Sequence, residues 1–306
     1  MFATCKPWDI LPQMPTDHHL EPVIQVRFWG VRGSIATPGP TTVRYGGNTP
    51  CLEVRAGQRL IILDCGTGLR GLGNALMAEH RPIDADIFFS HMHWDHIQGF
   101  PFFSPAFIPG NSFRIYGQNK GEQTVRAVLE GQMTDPNFPV PLSIMRSTLS
   151  FHAIVAGDVI ELGDVRVVTT PLNHPGGCLG IRIEHAGGAF VYATDTEHDP
   201  SGTKLDERLA ALAQDADALV YDAMYTDEEY RRGKIGWGHS TYSEALRIAR
   251  AARVRRLYLF HHDPTHDDDF LDCRLADARA DASDAPDLDV EMAREGERVV
   301  IRGRRA

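Results

Sequence analysis

Three histidines and one aspartate, His91, His93, Asp95 and His96, fall within six residues directly after the apolar run Ile87-Phe88-Phe89-Ser90. A short run of that bulk reads as a buried strand, and the polar residues begin where the strand ends. Neutral imidazoles together with a carboxylate are the donor set that zinc, manganese or iron takes. The segment therefore favours folds that gather further groups of this kind at one place.

Three further candidates stand in the same relation to a strand. His174 follows Val167-Val168-Thr169-Thr170, Asp195 follows Phe190-Val191-Tyr192-Ala193-Thr194, and His261 follows Leu257-Tyr258-Leu259-Phe260. Neighbouring strand ends converge in space although they are far apart in sequence, and sheet proteins collect ligands there. His174 also reads as a turn residue before Pro175-Gly176-Gly177, and Asp195 as a loop cap. His262 competes with His261, which is preferred because it directly follows the strand.

Around these positions strands alternate with helices. Strands are expected over 23–29, 51–55 and 59–63, separated by Gly-Gly-Asn-Thr-Pro and Ala-Gly-Gln turns, then over 85–90, 113–116, 165–170, 179–184, 189–194, 218–221 and 256–260. Helices fit 69–80, 122–132, 204–214 and 241–252. This pattern predicts an α/β fold in which two sheets are covered by helices. Residues 1–22, with four prolines and the pair His18-His19, read as an N-terminal tail or cover segment, and 23–306 as a single domain. The run Asp267-Asp268-Asp269 reads as a solvated helix start. Phe100, Phe102, Phe103 and Phe107 read as core packing in preference to a wall of the substrate entrance.

Charge narrows the partners. The net charge of -10, from 41 acidic against 31 basic residues, repels a long polyanion, so nucleic acid is not the expected partner and a small-molecule substrate is. Five cysteines without a CxxC pair read as a reduced, cytoplasmic set, and no segment resembles a membrane span.

With Leu63-Asp64-Cys65-Gly66-Thr67-Gly68, segment 91–96, His174, Asp195 and His261 in this order, the chain resembles the metallo-β-lactamase-fold hydrolases. Within that superfamily it is similar to the phosphodiesterase branch, which includes ribonuclease Z and small-molecule phosphodiesterases. The resemblance runs from about Val23 to the C-terminal strands. It implies a four-layer αββα sandwich and two divalent metal ions, with zinc first and manganese or iron as alternatives. One ion is then held by His91, His93 and His174, the second by Asp95, His96 and His261, with Asp195 bridging both. Asp64 is expected to orient a ligand histidine rather than bind metal. Relatives of this kind also form homodimers.

Such a pair of ions would share a water and lower its pKa towards about 7. Asp95 would orient that water or accept its proton. In Gly236-Trp237-Gly238-His239-Ser240-Thr241, His239 precedes a helix whose N-cap is Ser240 or Thr241. The segment resembles one that the phosphodiesterase branch sets against the scissile phosphate, which gives His239 the role of phosphate contact and general acid. The expected function is therefore hydrolysis of a small phosphodiester or cyclic nucleotide. Three rivals are hydrolysis of a lactone, thioester or β-lactam on the same scaffold, iron-dependent redox chemistry, and a metal-binding signal-response protein of low turnover.

Overall fold

A computed structural model describes residues 23–302, so the expected segment 1–22 lies outside the described residues. The first half of the chain contains β1 (Val23–Gly30), β2 (Cys51–Ala56), β3 (Arg59–Leu63), α1 (Leu69–Met77), β4 (Asp84–Phe88), α2 (Trp94–Ile97), β5 (Ser112–Gly117), α3 (Val125–Gln132) and β6 (Thr148–Ala153). The second half contains β7 (Val159–Leu162), β8 (Val165–Leu172), β9 (Cys178–His185), β10 (Gly188–Ala193), α4 (Glu207–Leu212), β11 (Ala218–Asp222), α5 (Asp227–Arg231), α6 (Tyr242–Ala251), β12 (Arg256–Phe260), α7 (Asp268–Asp281), β13 (Asp289–Met292) and β14 (Arg298–Arg302).

The strands form two seven-stranded sheets, ordered β14-β1-β2-β3-β4-β5-β6 and β13-β12-β11-β10-β9-β8-β7. Period-two alternation directs Ile24, Val26 and Phe28 of β1 into the core between the sheets, where they meet Val167, Ile181, Phe190, Tyr192 and Phe260. Leu69, Leu72 and Leu76 lie on one face of α1 and, with Val125 and Leu129 of α3, cover the outside of the first sheet. On the outside of the second sheet, Leu209 of α4, Ile248 of α6 and Leu271 of α7 do the same. Two sheets between two helix layers are the expected αββα sandwich. β10 is buried on both faces, with Phe190 and Tyr192 turned inward and Val191 and Ala193 outward. That double burial is why its sequence is an unbroken apolar run.

Four strands to which the sequence assigned no ranges, β6, β7, β13 and β14, are the four sheet edges. An edge strand buries little, so its apolar signal is weak. In β14 only Val299 and Ile301 are buried, between Arg298, Val300 and Arg302, and such edge charges also discourage pairing with other chains. Helix starts differ from expectation where a cap overrides the apolar pattern. Thr124 caps α3 by accepting from the Ala127 N–H, and Asp206 caps α4, so neither helix reaches back to 122 or 204. Asp267 caps α7 at the expected helix start, but Asp268 is buried and not solvated, because it accepts from the N–H groups of Arg44 and Tyr45. The short helix α5 was missed, although Thr226 and Glu229 form a capping box legible as Thr-x-x-Glu. Phe100 and Phe103 are buried in the outer core of the first sheet, whereas Phe102 is exposed and meets Phe138 edge-on. Among the described residues, no helix is long and apolar enough to cross a membrane.

The Phe28 ring spans the two sheets, its centroid 5.3 Å from that of Tyr258 and 6.2 Å from that of Phe260. Phe28→Ala should lower stability by about 3–5 kcal/mol, read as a shift of the urea midpoint at constant slope. A loss below about 1 kcal/mol would contradict this packing of the two sheets.

Candidate metal centre

Strand direction explains why distant residues meet. β4 runs parallel to β3, β8 and β10 are both antiparallel to β9, and β11 and β12 run parallel to β10. The carboxyl ends of β8, β10, β11 and β12 therefore open on one side of the second sheet, where the corresponding ends of β3 and β4 face them. His174 follows β8, Asp195 follows β10, Asp222 ends β11, His261 follows β12, and segment 91–96 follows β4.

The turn from strand into site is made by unusual backbone. Asp64, Asp195 and His261 have φ of 59°, 47° and 62°, and Ser34 has 63°, all in the left-handed region that non-glycine residues seldom occupy. Strain of this kind persists only where the surroundings enforce it, and it concentrates at functional sites.

Three groups result, each with donor atoms within 4.8 Å of one another: two share Asp195, namely His91, His93, His174 and Asp195, and Asp95, His96, Asp195 and His261, while the third, Asp222, His239 and His261, meets the second at His261. Its Oδ2 faces His91 Nε2 at 3.6 Å and His174 Nε2 at 3.7 Å, while its Oδ1 faces His96 Nε2 at 3.2 Å and His261 Nε2 at 3.3 Å. Asp95 Oδ2 lies 3.3 Å from His96 Nε2 and 3.2 Å from His261 Nε2, and His93 Nδ1 lies 3.0 Å from His174 Nε2. All seven expected residues are thus gathered.

The donor atoms fit a metal better than they fit one another. His91 Nε2 and His96 Nε2 are buried without a hydrogen-bond partner, although carboxylate oxygens stand nearby. A buried polar atom left in that state is costly unless something else satisfies it, and imidazole nitrogens facing carboxylates satisfy a divalent cation.

Further contacts fix the donors. Asp64 Oδ2 accepts from His96 Nδ1 at 2.8 Å, as expected, and also from Ser90 Oγ at 2.7 Å and the Tyr192 hydroxyl at 2.8 Å. His174 Nδ1 donates to the Gly238 carbonyl at 2.8 Å, so its Nε2 points into the centre. The Ser34 N–H donates to Asp95 Oδ2 at 2.8 Å. Arg32, fully buried, donates to the carbonyls of Gly46, Asp263 and His266, tying the loop after β1 to the loop after β12. Two glycines permit the close approach. A Cβ on Gly33 would lie 2.5 Å from His261 Nδ1, and one on Gly238 2.3 Å from His174 Nδ1.

The neighbouring His262 turns away. Its Nε2 donates to the Ala293 carbonyl at 2.7 Å, and burial beside Arg32 pushes its pKa down to about 3. His239, at 8% exposure, reaches the same floor: its Nδ1 is 2.9 Å from Asp222 Oδ2 and 3.9 Å from Asp195 Oδ2. Thr241, not Ser240, caps α6.

Charge is unevenly divided. Burial would raise the Asp95 and Asp195 carboxyls, but the imidazoles around them, His96 for Asp95 and His261 for Asp195 above all, hold both well below the usual carboxylate range. Burial depresses His91, His93 and His174. Burial acts likewise on His96 and His239, yet the carboxylates outweigh it, chiefly Asp195 for His96 and Asp222 for His239, so that both are raised, His239 to about 9.

Sequence reading missed Asp222, although it follows the same rule as the others: it ends a strand that the apolar run places at 218–221. Neither Ser34 nor Glu197 was marked as a site residue. Glu197 accepts from the N–H groups of Gly236 and Gly238 and from the Tyr230 hydroxyl, and so holds the loop that carries His239. No local pattern marks either residue, because their partners are set by tertiary contact.

Solved structures with this fold include the metallo-beta-lactamase fold protein YhfI from Bacillus subtilis, with a TM-score of 0.66 at 20% identity over 91% of this chain and 99% of that one. Unliganded PDE1 from yeast aligns with a TM-score of 0.63 at 16% identity, over 91% and 99%. In sequence, a ribonuclease Z from Mycobacterium sp. (strain KMS) is 28% identical over 280 residues, covering 87% of this chain and 93% of that protein. Residues 59–262 match the family described as the beta-lactamase superfamily domain, a span that includes every donor of the centre. The chain belongs to that superfamily and is one of its metal-dependent hydrolases.

Proposed function

We propose that the protein is a dinuclear phosphodiesterase acting on a small phosphodiester or cyclic nucleotide. The observation that carries the proposal is the division of Asp195, with one oxygen toward His91 and His174 and the other toward His96 and His261. In this reading His91, His93 and His174 hold one ion, Asp95, His96 and His261 hold the other, and Asp195 serves both. Zinc is the proposed metal, since imidazole and carboxylate donors suit it. When bound, the ions supply Lewis acidity, acidifying a water molecule and neutralising charge on a phosphoryl oxygen.

The remaining work falls to the chain. Asp95, fixed by the Ser34 N–H, orients the attacking water or takes its proton. His239, with Nδ1 held by Asp222, presents Nε2 to the leaving oxygen and protonates it. Residues 23–306 then form one catalytic domain of a cytoplasmic protein. The charge of -10 favours a small substrate over RNA.

Elemental analysis of the purified protein should find two metal equivalents per chain. Gly33→Ala, which crowds His261, and Gly238→Ala, which crowds His174, should each weaken one site by roughly 10- to 100-fold while circular dichroism stays unchanged. One equivalent in the parent protein, indifferent to both substitutions, would contradict the two-ion reading.

His239→Ala should slow cleavage of an alkyl phosphodiester by roughly 100- to 10,000-fold, and cleavage of a nitrophenyl diester far less, because a nitrophenolate departs without a proton. Equal losses on both would remove the general-acid role. Turnover of a lactone or β-lactam independent of His239, with phosphodiesters untouched, would overturn the phosphodiesterase reading, and preference for RNA over small diesters would overturn the substrate class.

A further inference from the structure

Of the residues in the three groups, His93 alone is exposed, so the centre opens to solvent on the His93 side. Two large aromatic residues that lie near these donors in the chain are exposed. Trp94, next in the chain, is 76% exposed, and Trp237, which precedes the Gly238 that receives the His174 hydrogen bond, is 57% exposed. The His93 and His174 rings are 4.8 Å apart; Trp94 follows the first in the chain, and Trp237 precedes the carbonyl that holds the second. An exposed indole gains nothing from the fold's own core, whereas a ligand ring stacked on it would recover that surface from water.

The second tryptophan is held in place. Gly236 and Gly238, both with positive φ, flank Trp237, and Glu197 accepts from the N–H of each, at 2.6 and 2.8 Å. Trp237 thus stands at the tip of a clamped loop. Cations border the same opening. Lys234 Nζ lies 4.0 Å from the Trp237 ring centroid, and a Cβ on Gly176 would lie 2.9 Å from Lys120 Nζ and 4.0 Å from His93 Nε2. In a chain of net charge -10, two ammonium groups at the mouth of the centre favour an anionic ligand there.

We infer that the His93 side is a subsite for a planar aromatic base carried by the substrate, stacked on Trp237 and Trp94 with its anionic portion toward Lys120 and Lys234. The substrate is then a nucleotide-type diester and not a diester of simple alcohols. This rests on the phosphodiesterase reading for the bond that is cut, but the ring preference is measurable without any cleavage.

The test is calorimetric titration of the metal-loaded full chain with adenosine 5′-monophosphate and with ribose 5-phosphate, which differ only in the base. The base should strengthen binding about tenfold or more. Trp237→Ala should erase most of that preference, and Trp237→Tyr should keep it. Equal affinity for the two ligands, no binding of either, or a preference that survives in both Trp237→Ala and Trp94→Ala overturns the inference. So does a result in which Trp237→Ala converts a dimer to a monomer in sedimentation and leaves the preference intact, since the rim is then an interface between copies. A base preference without turnover of any diester leaves the subsite standing and removes the proposed reaction.

Discussion

The Asp195 carboxylate is the group on which the centre depends, because it is the one side chain that faces both sets of imidazoles. Buried to 1% exposure, it sits where an isolated charge would be prohibitively costly, and it is tolerated because His91, His96, His174 and His261 surround it. Burial depresses His91 and His174, while at His96 the carboxylates, Asp195 first, outweigh burial and raise it. Divalent ions held there would favour neutral imidazoles beside charged carboxylates. The electrostatics of the site and its proposed chemistry are two consequences of the same crowding.

Such crowding needs a rigid frame, and the sandwich provides it. His91, His93, His174, Asp195 and His261 lie within five residues of a strand terminus, so sheet pairing sets their positions, and Asp95 and His96 are carried by the short helix α2 that follows β4. Asp195 and His261 hold left-handed backbone at the turn, at a cost of order 1–3 kcal/mol each, which the surrounding ladder must offset. Arg32 joins the loops after β1 and β12 from inside, and its neighbours Gly33 and Ser34 touch His261 and Asp95 directly. The loop after β1 is therefore part of the support of the centre.

What was legible in the sequence follows from how locally each feature is encoded. Segment 91–96 concentrates four donors behind one apolar strand, and His174, Asp195 and His261 share the rule of standing past a strand end. β10 and β11 announce themselves because burial on both faces demands unbroken apolar residues. The edges β6, β7, β13 and β14 do not, since half-exposed strands carry polar residues that dilute the pattern. Asp64 was assigned its role through resemblance, and its three donors, His96, Ser90 and Tyr192, come from segments too far apart for any local pattern to join them. Asp222 was within reach of the strand-end rule, and it was missed because the apolar run stops one residue before the strand does.

The same distinction bears on substrate choice. In the proposed two-ion reading the donors would serve any ester oxygen, and a fold shared by many hydrolases cannot select among esters. Selection must come from groups that vary independently of the donors, on the side where a substrate arrives. The chain has invested in that side: Glu197 is buried to brace a loop whose tip is a tryptophan, and two lysines stand where the overall charge is opposite. A bare acidic surface would repel phosphate esters of every kind. With the proposed cationic, aromatic subsite, an acidic protein would repel most of them and admit those that bring a ring, which is discrimination by exclusion as much as by contact.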